Sequence, residues 1–64
     1  MKTGPLLDNS GSYIGQITQS GEKYCLFDST GSLLGIYDPD RDATFDAGGT
    51  YIGKGNILTI LLRP

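Results

Sequence analysis

A nine-residue motif occurs three times in this chain without gaps, and it leaves few folds open. The copies are Leu7-Asp8-Asn9-Ser10-Gly11-Ser12-Tyr13-Ile14-Gly15, Phe27-Asp28-Ser29-Thr30-Gly31-Ser32-Leu33-Leu34-Gly35 and Phe45-Asp46-Ala47-Gly48-Gly49-Thr50-Tyr51-Ile52-Gly53, beginning 20 and then 18 residues apart. The shared pattern is apolar-Asp-x-x-Gly-Ser/Thr-apolar-apolar-Gly. An aspartate side chain accepts a hydrogen bond from the backbone two residues on and so starts a reversal. A glycine three residues later takes the positive φ that closes such a turn, often with a bulge. Hydroxyl and then apolar residues resume an extended strand. Each copy therefore reads as a β-hairpin, over about 6–17, 23–37 and 43–55.

The second glycine of the motif weakens strand pairing and marks a bend or the close approach of another group. Side chains alternate faces with a period of two, which groups Gly15 with Tyr13, Gly35 with Leu33 and Gly53 with Tyr51. Ile14, Leu34 and Ile52 then point the other way, as a shared apolar centre. Further turn signals, Thr18-Gln19-Ser20-Gly21-Glu22 and Asp38-Pro39-Asp40-Arg41-Asp42, lie between the copies. The run Asn56-Ile57-Leu58-Thr59-Ile60-Leu61-Leu62-Arg63 is apolar without clean alternation. It is predicted as a C-terminal strand over 56–63, covered on both faces. No stretch carries a 3.6-residue apolar period, and ten glycines punctuate the chain. The expected fold is all-β: three repeated antiparallel hairpins plus a C-terminal strand, in a small meander, flower- or barrel-like sheet forming one domain over 1–64.

Across Leu7 to Gly53 these residues resemble the small bacterial four-fold β-flower proteins. Those also repeat a short hairpin with an apolar-Asp/Asn-x-x-Gly turn, followed by apolar residues and a small one. This chain carries three clear copies, not four. The resemblance implies a repeated-hairpin fold and no established chemistry.

A 64-residue chain buries only about 60% of the surface its unfolded form exposes. Its core supplies roughly 3–5 kcal/mol, so a staple is needed. The single cysteine, Cys25, excludes an internal disulfide, and with no histidine beside it it cannot build a structural zinc site. Self-association remains, and a homo-oligomer is expected. Its interface is assigned to Ile57, Leu58, Ile60, Leu61 and Leu62, whose exposed edge would otherwise invite aggregation.

The net charge is −2, and the five basic residues, Lys2, Lys23, Arg41, Lys54 and Arg63, are scattered. No basic stripe matches a phosphate backbone, so no nucleic acid is expected as a partner. No apolar stretch has signal-peptide length. The longest apolar run, Ile57 to Leu62, is about a third of a membrane helix. With one unpaired cysteine, the expectation is a cytoplasmic protein that does not enter a membrane.

Catalytic residues are not expected. Proton transfer near neutral pH most often uses histidine, and there is none. Cys25 lacks an activating base and lies between Tyr24 and Leu26, the place of a small buried hydrophobe. Asp8, Asp28 and Asp46 are explained by their turns. Asp38, Asp40 and Asp42 fit positions one, three and five of a calcium loop. Ala43 and Gly49, however, stand where that loop needs glycine and a bidentate glutamate, so no metal is assigned. Gly48-Gly49-Thr50-Tyr51-Ile52-Gly53-Lys54-Gly55 runs on toward strand-like residues where a phosphate loop needs a helix. Its backbone amides and Lys54 can still contact an anion.

Tyrosine combines contact area with a polar tip, which suits both core caps and binding surfaces. The candidate ligand- or partner-binding set is Tyr13, Gly15, Tyr37, Tyr51, Gly53 and Lys54, with no cofactor. The expected function is a small non-catalytic binding module, acting as a homo-oligomer that sequesters a small-molecule ligand or blocks a protein partner. By analogy it has the manner of a phage-encoded or bacterial accessory protein. The alternative is a purely structural subunit of a larger assembly with no ligand of its own.

Overall fold

The computed structural model describes residues 3–62; Lys2 and Arg63, the latter within the expected last strand, lie outside that range. Six antiparallel strands form one sheet in sequence order: β1 (Gly4–Leu7), β2 (Tyr13–Ser20), β3 (Lys23–Asp28), β4 (Leu33–Asp38), β5 (Ala43–Asp46) and β6 (Tyr51–Lys54). The sheet is an open meander with β1 and β6 as its edges. The protein is all-β, and each motif copy is a hairpin.

The three motif turns share one construction. The backbone N–H of Gly11, Gly31 and Gly49 donates to the carbonyl of Asp8, Asp28 and Asp46, each at 3.0 Å. Their φ values of 86°, 89° and 89° lie in the left-handed region that only glycine enters without a Cβ clash. Asp8 Oδ1 accepts from the N–H groups of Ser10 and Ser12 at 2.8 and 2.9 Å. Asp28 Oδ1 repeats this with Thr30 and Ser32, and Asp46 Oδ1 with Gly48 and Thr50.

Past each turn the ladder carries a bulge at the same motif position. Leu6 opposes Gly15 while Leu7 opposes Tyr13, Leu26 opposes Gly35 while Phe27 opposes Leu33, and Thr44 opposes Gly53 while Phe45 opposes Tyr51. Ile14, Leu34 and Ile52 are the extra residues. This corrects the face assignment drawn from alternation. A bulge inserts one residue and so breaks the two-residue period, which puts Tyr13, Leu33 and Tyr51 on the sheet face opposite Gly15, Gly35 and Gly53. Of the extra residues, Leu34 packs against the core cluster, while Ile14 and Ile52 are half-buried.

The C-terminal strand predicted over 56–63 is also corrected. Leu58–Leu62 is a short 3-10 helix, laid across the inner face of the sheet. Its seat is made by the three motif glycines. A Cβ on Gly35 would collide with Leu61 Cδ1 and lie 2.6 Å from the Phe45 carbonyl oxygen. One on Gly53 would lie 2.8 Å from Ile57 Cδ1, and one on Gly15 would lie 3.3 Å from Leu62 Cδ2. Hydrogen-bonding sites freed at the end of β6 are tied down by Thr44, which is fully buried. Its Oγ1 donates to the Gly55 carbonyl at 2.7 Å and accepts from the Ile57 N–H at 3.1 Å.

The core on this face is small: Ile17, Leu26 and Leu58, with Leu6, Tyr24, Leu34, Tyr37, Leu61 and Leu62 packed around them. Leu58 is completely buried by its own chain, and Ile60 alone among the five assigned interface residues is exposed. The covering that the apolar run was expected to need from a second subunit is thus supplied within the chain. Among the described residues no helix is long and apolar enough to cross a membrane.

Candidate functional site

The second face of the sheet has no layer over it. Residues paired directly across the ladders share a face, and two rows run across this one. Thr18, Cys25, Ile36, Phe45 and Tyr51 form one row, and Gln16, Phe27 and Leu33 the other. Leu7 and Tyr13 pair beside them. Tyr51 is 58% exposed, Leu7 60% and Tyr13 45%, although large apolar groups ordinarily seek cover. Phe45 meets Tyr51 edge to face, with centroids 6.0 Å apart and planes at 71°. Cys25 is half-buried in the middle of the row.

At one end of this face lies an open pocket of 360 Å³. Its lining combines the apolar Ile36 and Phe45 with Lys23, Asp38 and Arg41, and with Asp46 and the turn residues Ala47, Gly48 and Gly49. Arg41 Nε is 3.8 Å from Asp38 Oδ2, with the arginine side chain 73% exposed, a loose pair of little energetic weight. Asp38 is itself nearly buried, and its Oδ1 accepts the Asp40 N–H at 3.0 Å. No carboxylate stands within ion-pair distance of Lys23 among the described residues.

The third turn differs from the other two where it borders this pocket. In the first, Ser10 Oγ donates to Asp8 Oδ1, and in the second Thr30 Oγ1 donates to Asp28 Oδ1, each at 2.6 Å. These hydroxyls, followed by the backbone N–H groups of Ser12 and Ser32, hold both carboxyls below their ordinary value. In the third turn the equivalent residue is Gly48, so Asp46 accepts from two backbone N–H groups and no hydroxyl.

The sequence-derived candidates do not converge. Tyr13 and Tyr51 lie on the open face but on β2 and β6, four strands apart. Gly15 and Gly53 lie on the opposite face beneath the C-terminal residues. Tyr37 belongs to the core side, stacked on Tyr24 at 6.4 Å. Its hydroxyl donates to Asp42 Oδ1 at 2.8 Å, which together with burial raises its pKa above 10.0. Lys54 is exposed at the edge of β6, outside the pocket lining.

Lys23, Ile36, Arg41 and the turn at Gly48 were not singled out from sequence. The available signal was the departure of the third copy, Ala47-Gly48, from Asn9-Ser10 and Ser29-Thr30. Asp38, Asp40 and Asp42 do not gather. Asp42 is turned away by its left-handed φ of 49° and by its bond to Tyr37, and no cluster of three or more acidic or thiol groups able to hold a metal forms among the described residues. No known protein family, curated protein or solved structure matches this chain.

Proposed function

We propose that this chain is a small non-catalytic binding module that works as a homo-oligomer and holds a small ligand. One observation carries this reading: the second face of the sheet is apolar, aromatic and uncovered, and ends in an open pocket. A sheet buries its apolar face against another layer. The C-terminal residues supply that layer for one side only, so a second copy is the natural cover for the other. The contact surface in this reading is Leu7, Tyr13, Phe27 and Leu33, in place of Ile57 to Leu62, and leaves the pocket beside Phe45 open. A pocket of this size lies at the lower end of the range for small-molecule sites. No group in it is arranged as nucleophile and base, which supports binding over turnover.

Native mass spectrometry on freshly purified protein tests the reading. A defined multimer carrying extra mass supports it. A bare multimer shifts the assignment to a structural subunit, the reading favoured if the apolar rows are filled entirely by a second copy. A bare monomer overturns it.

A further inference from the structure

The pocket on the open face contains a carboxylate oxygen that the described residues leave without a donor. Asp38 is only 8% exposed and lines the pocket. Its Oδ1 accepts the Asp40 N–H at 3.0 Å. Its Oδ2 faces Arg41 Nε at 3.8 Å, beyond hydrogen-bond reach. No fully enclosed side-chain oxygen among the described residues lacks a partner, so Oδ2 keeps an opening to the outside. A largely desolvated carboxylate oxygen without a donor is costly, and a cationic donor on a ligand would satisfy it.

The strand register puts three further groups beside it. Ile36 pairs with Phe45 and with Cys25 on the open face. Asp38 stands two residues after Ile36 on β4, and Lys23 two residues before Cys25 on β3, so both share that face. Lys23 and Asp38 thus form the row next to Ile36 and Phe45, about 6.6 Å along the strands. Lys23 has no carboxylate within ion-pair distance among the described residues. Arg41 lines the same pocket from the turn between β4 and β5, and with its side chain 73% exposed it re-aims at little cost. The other carboxylate of the lining, Asp46, has its Oδ1 taken by the N–H groups of its own turn. Two cations and two carboxylates in one lining favour a ligand of no net charge over a simple anion or cation.

We propose that this pocket binds a free α-amino acid with an aromatic or branched apolar side chain. Its ammonium donates to Asp38 Oδ2, its carboxylate meets Lys23 and Arg41, and its side chain lies on Ile36 and Phe45. Each polar contact is a charge-assisted hydrogen bond, and the guanidinium fork suits a carboxylate. This rests on the small-ligand reading above and names the ligand class within it.

The test is a titration of isotope-labelled protein followed by amide chemical shifts. The probes are phenylalanine, tryptophan and leucine. The comparators are phenethylamine (no carboxylate), phenylpropionate (no ammonium) and glycine (no side chain). Saturable shifts at Lys23, Ile36, Asp38 and Phe45 are expected for at least one probe at up to about 10 mM, ten-fold above a dissociation constant of about 1 mM. Each comparator is expected to bind about ten-fold more weakly or worse, the scale of one lost charged hydrogen bond or of a lost apolar contact. Asp38→Asn keeps an acceptor for the Asp40 N–H and removes the charge, and is expected to weaken binding about ten-fold. Lys23→Gln changes an exposed, unpaired residue and so keeps the fold. It is expected to weaken amino-acid binding about ten-fold and to leave phenethylamine binding unchanged, and it decides the matter alone if Asp38→Asn does not fold.

No saturable shift with any of the three amino acids overturns the proposal, as does an affinity matched by a comparator or unchanged by Lys23→Gln. These outcomes are separate from the mass measurement. A multimer that carries extra mass yet ignores the amino acids refutes the ligand class and leaves the binding reading standing.

Discussion

Gly35→Ala is the substitution that best tests how the C-terminal residues hold the sheet. Its Cβ would collide with Leu61 Cδ1, and it would lie 2.6 Å from the Phe45 carbonyl oxygen and 3.5 Å from Leu58 Cδ2. The leucine tip can rotate away, but the carbonyl belongs to the β4–β5 ladder and moves only if that ladder does. Overpacking of this kind costs about 1–3 kcal/mol. The smaller conformational freedom of alanine in the unfolded chain returns about 0.4–1 kcal/mol. Since the φ of Gly35 is not in the left-handed region, no backbone term is added. The net loss centres on about 1.3 kcal/mol, or roughly 5–10 °C in Tm for a domain of this size. Gly53→Ala is the control. Its only close neighbour among the described residues is Ile57 Cδ1 at 2.8 Å, the free end of a side chain, so its net effect is expected to be near zero. Urea unfolding followed by circular dichroism, at matched protein concentration because association adds stability, measures both. Equal stability of Gly35→Ala and the parent would refute the seat at Gly35, and equal losses at the two positions would refute the ranking.

Leu58→Ala removes a fully buried side chain at about 2–5 kcal/mol, and the protein is expected to be largely unfolded at room temperature; a cooperative transition within about 1 kcal/mol of the parent would contradict the core described. Thr44→Val leaves the Ile57 N–H and the Gly55 carbonyl without their partner and is expected to cost about 1–3 kcal/mol. Hydrogen exchange at the Ile57 amide should rise with it, and unchanged exchange would count against the anchor. Asp8 and Asp28 are held below 3.8 by their Ser10 and Thr30 hydroxyls. Their contribution is therefore present above pH 3.8 and lost as pH falls through the lower folded values. The Asp8→Asn, Asp28→Asn double variant should show a flatter acid limb in circular dichroism, and an unchanged limb would refute the turn assignment. Tyr37 is raised above 10.0 by donating to Asp42 and by burial. Its stabilisation is full below pH 10.0 and is lost as pH rises through the raised value. In a tyrosinate absorbance titration Tyr37→Phe should lose a step above pH 10.0, and retention of that step would assign it elsewhere.

The hairpins were legible because Asp-x-x-Gly dictates a local geometry that needs nothing from the rest of the chain. Asp8, Asp28 and Asp46 all do what their spacing implies. The faces were not legible from alternation, because the bulges at Ile14, Leu34 and Ile52 reverse the parity between tyrosine and glycine. Glycine in a strand is the one local mark of such a break. The C-terminal residues were misread for a tertiary reason: Ile57 and Ile60 favour strands, but glycine hollows at fixed spacing on a formed sheet reward a compact turn. Of the apolar residues at 57, 58, 60, 61 and 62, only Ile60 is left exposed by that turn. The pocket was hidden because Lys23, Ile36, Asp38, Arg41 and the turn from Ala47 to Gly49 line it from separate strands and turns, which only the folded register brings together.

The order of the cover and the sheet along the chain has a consequence during synthesis. All six strands precede Ile57 to Leu62 in the chain, so a sheet that forms before those residues dock is bare on both faces. During that interval the glycine hollows are open to any apolar segment nearby, including the same segment of a neighbouring nascent chain. Ribosome spacing on the message, and the presence of a holding chaperone, would then decide whether each sheet closes on its own residues or on another's.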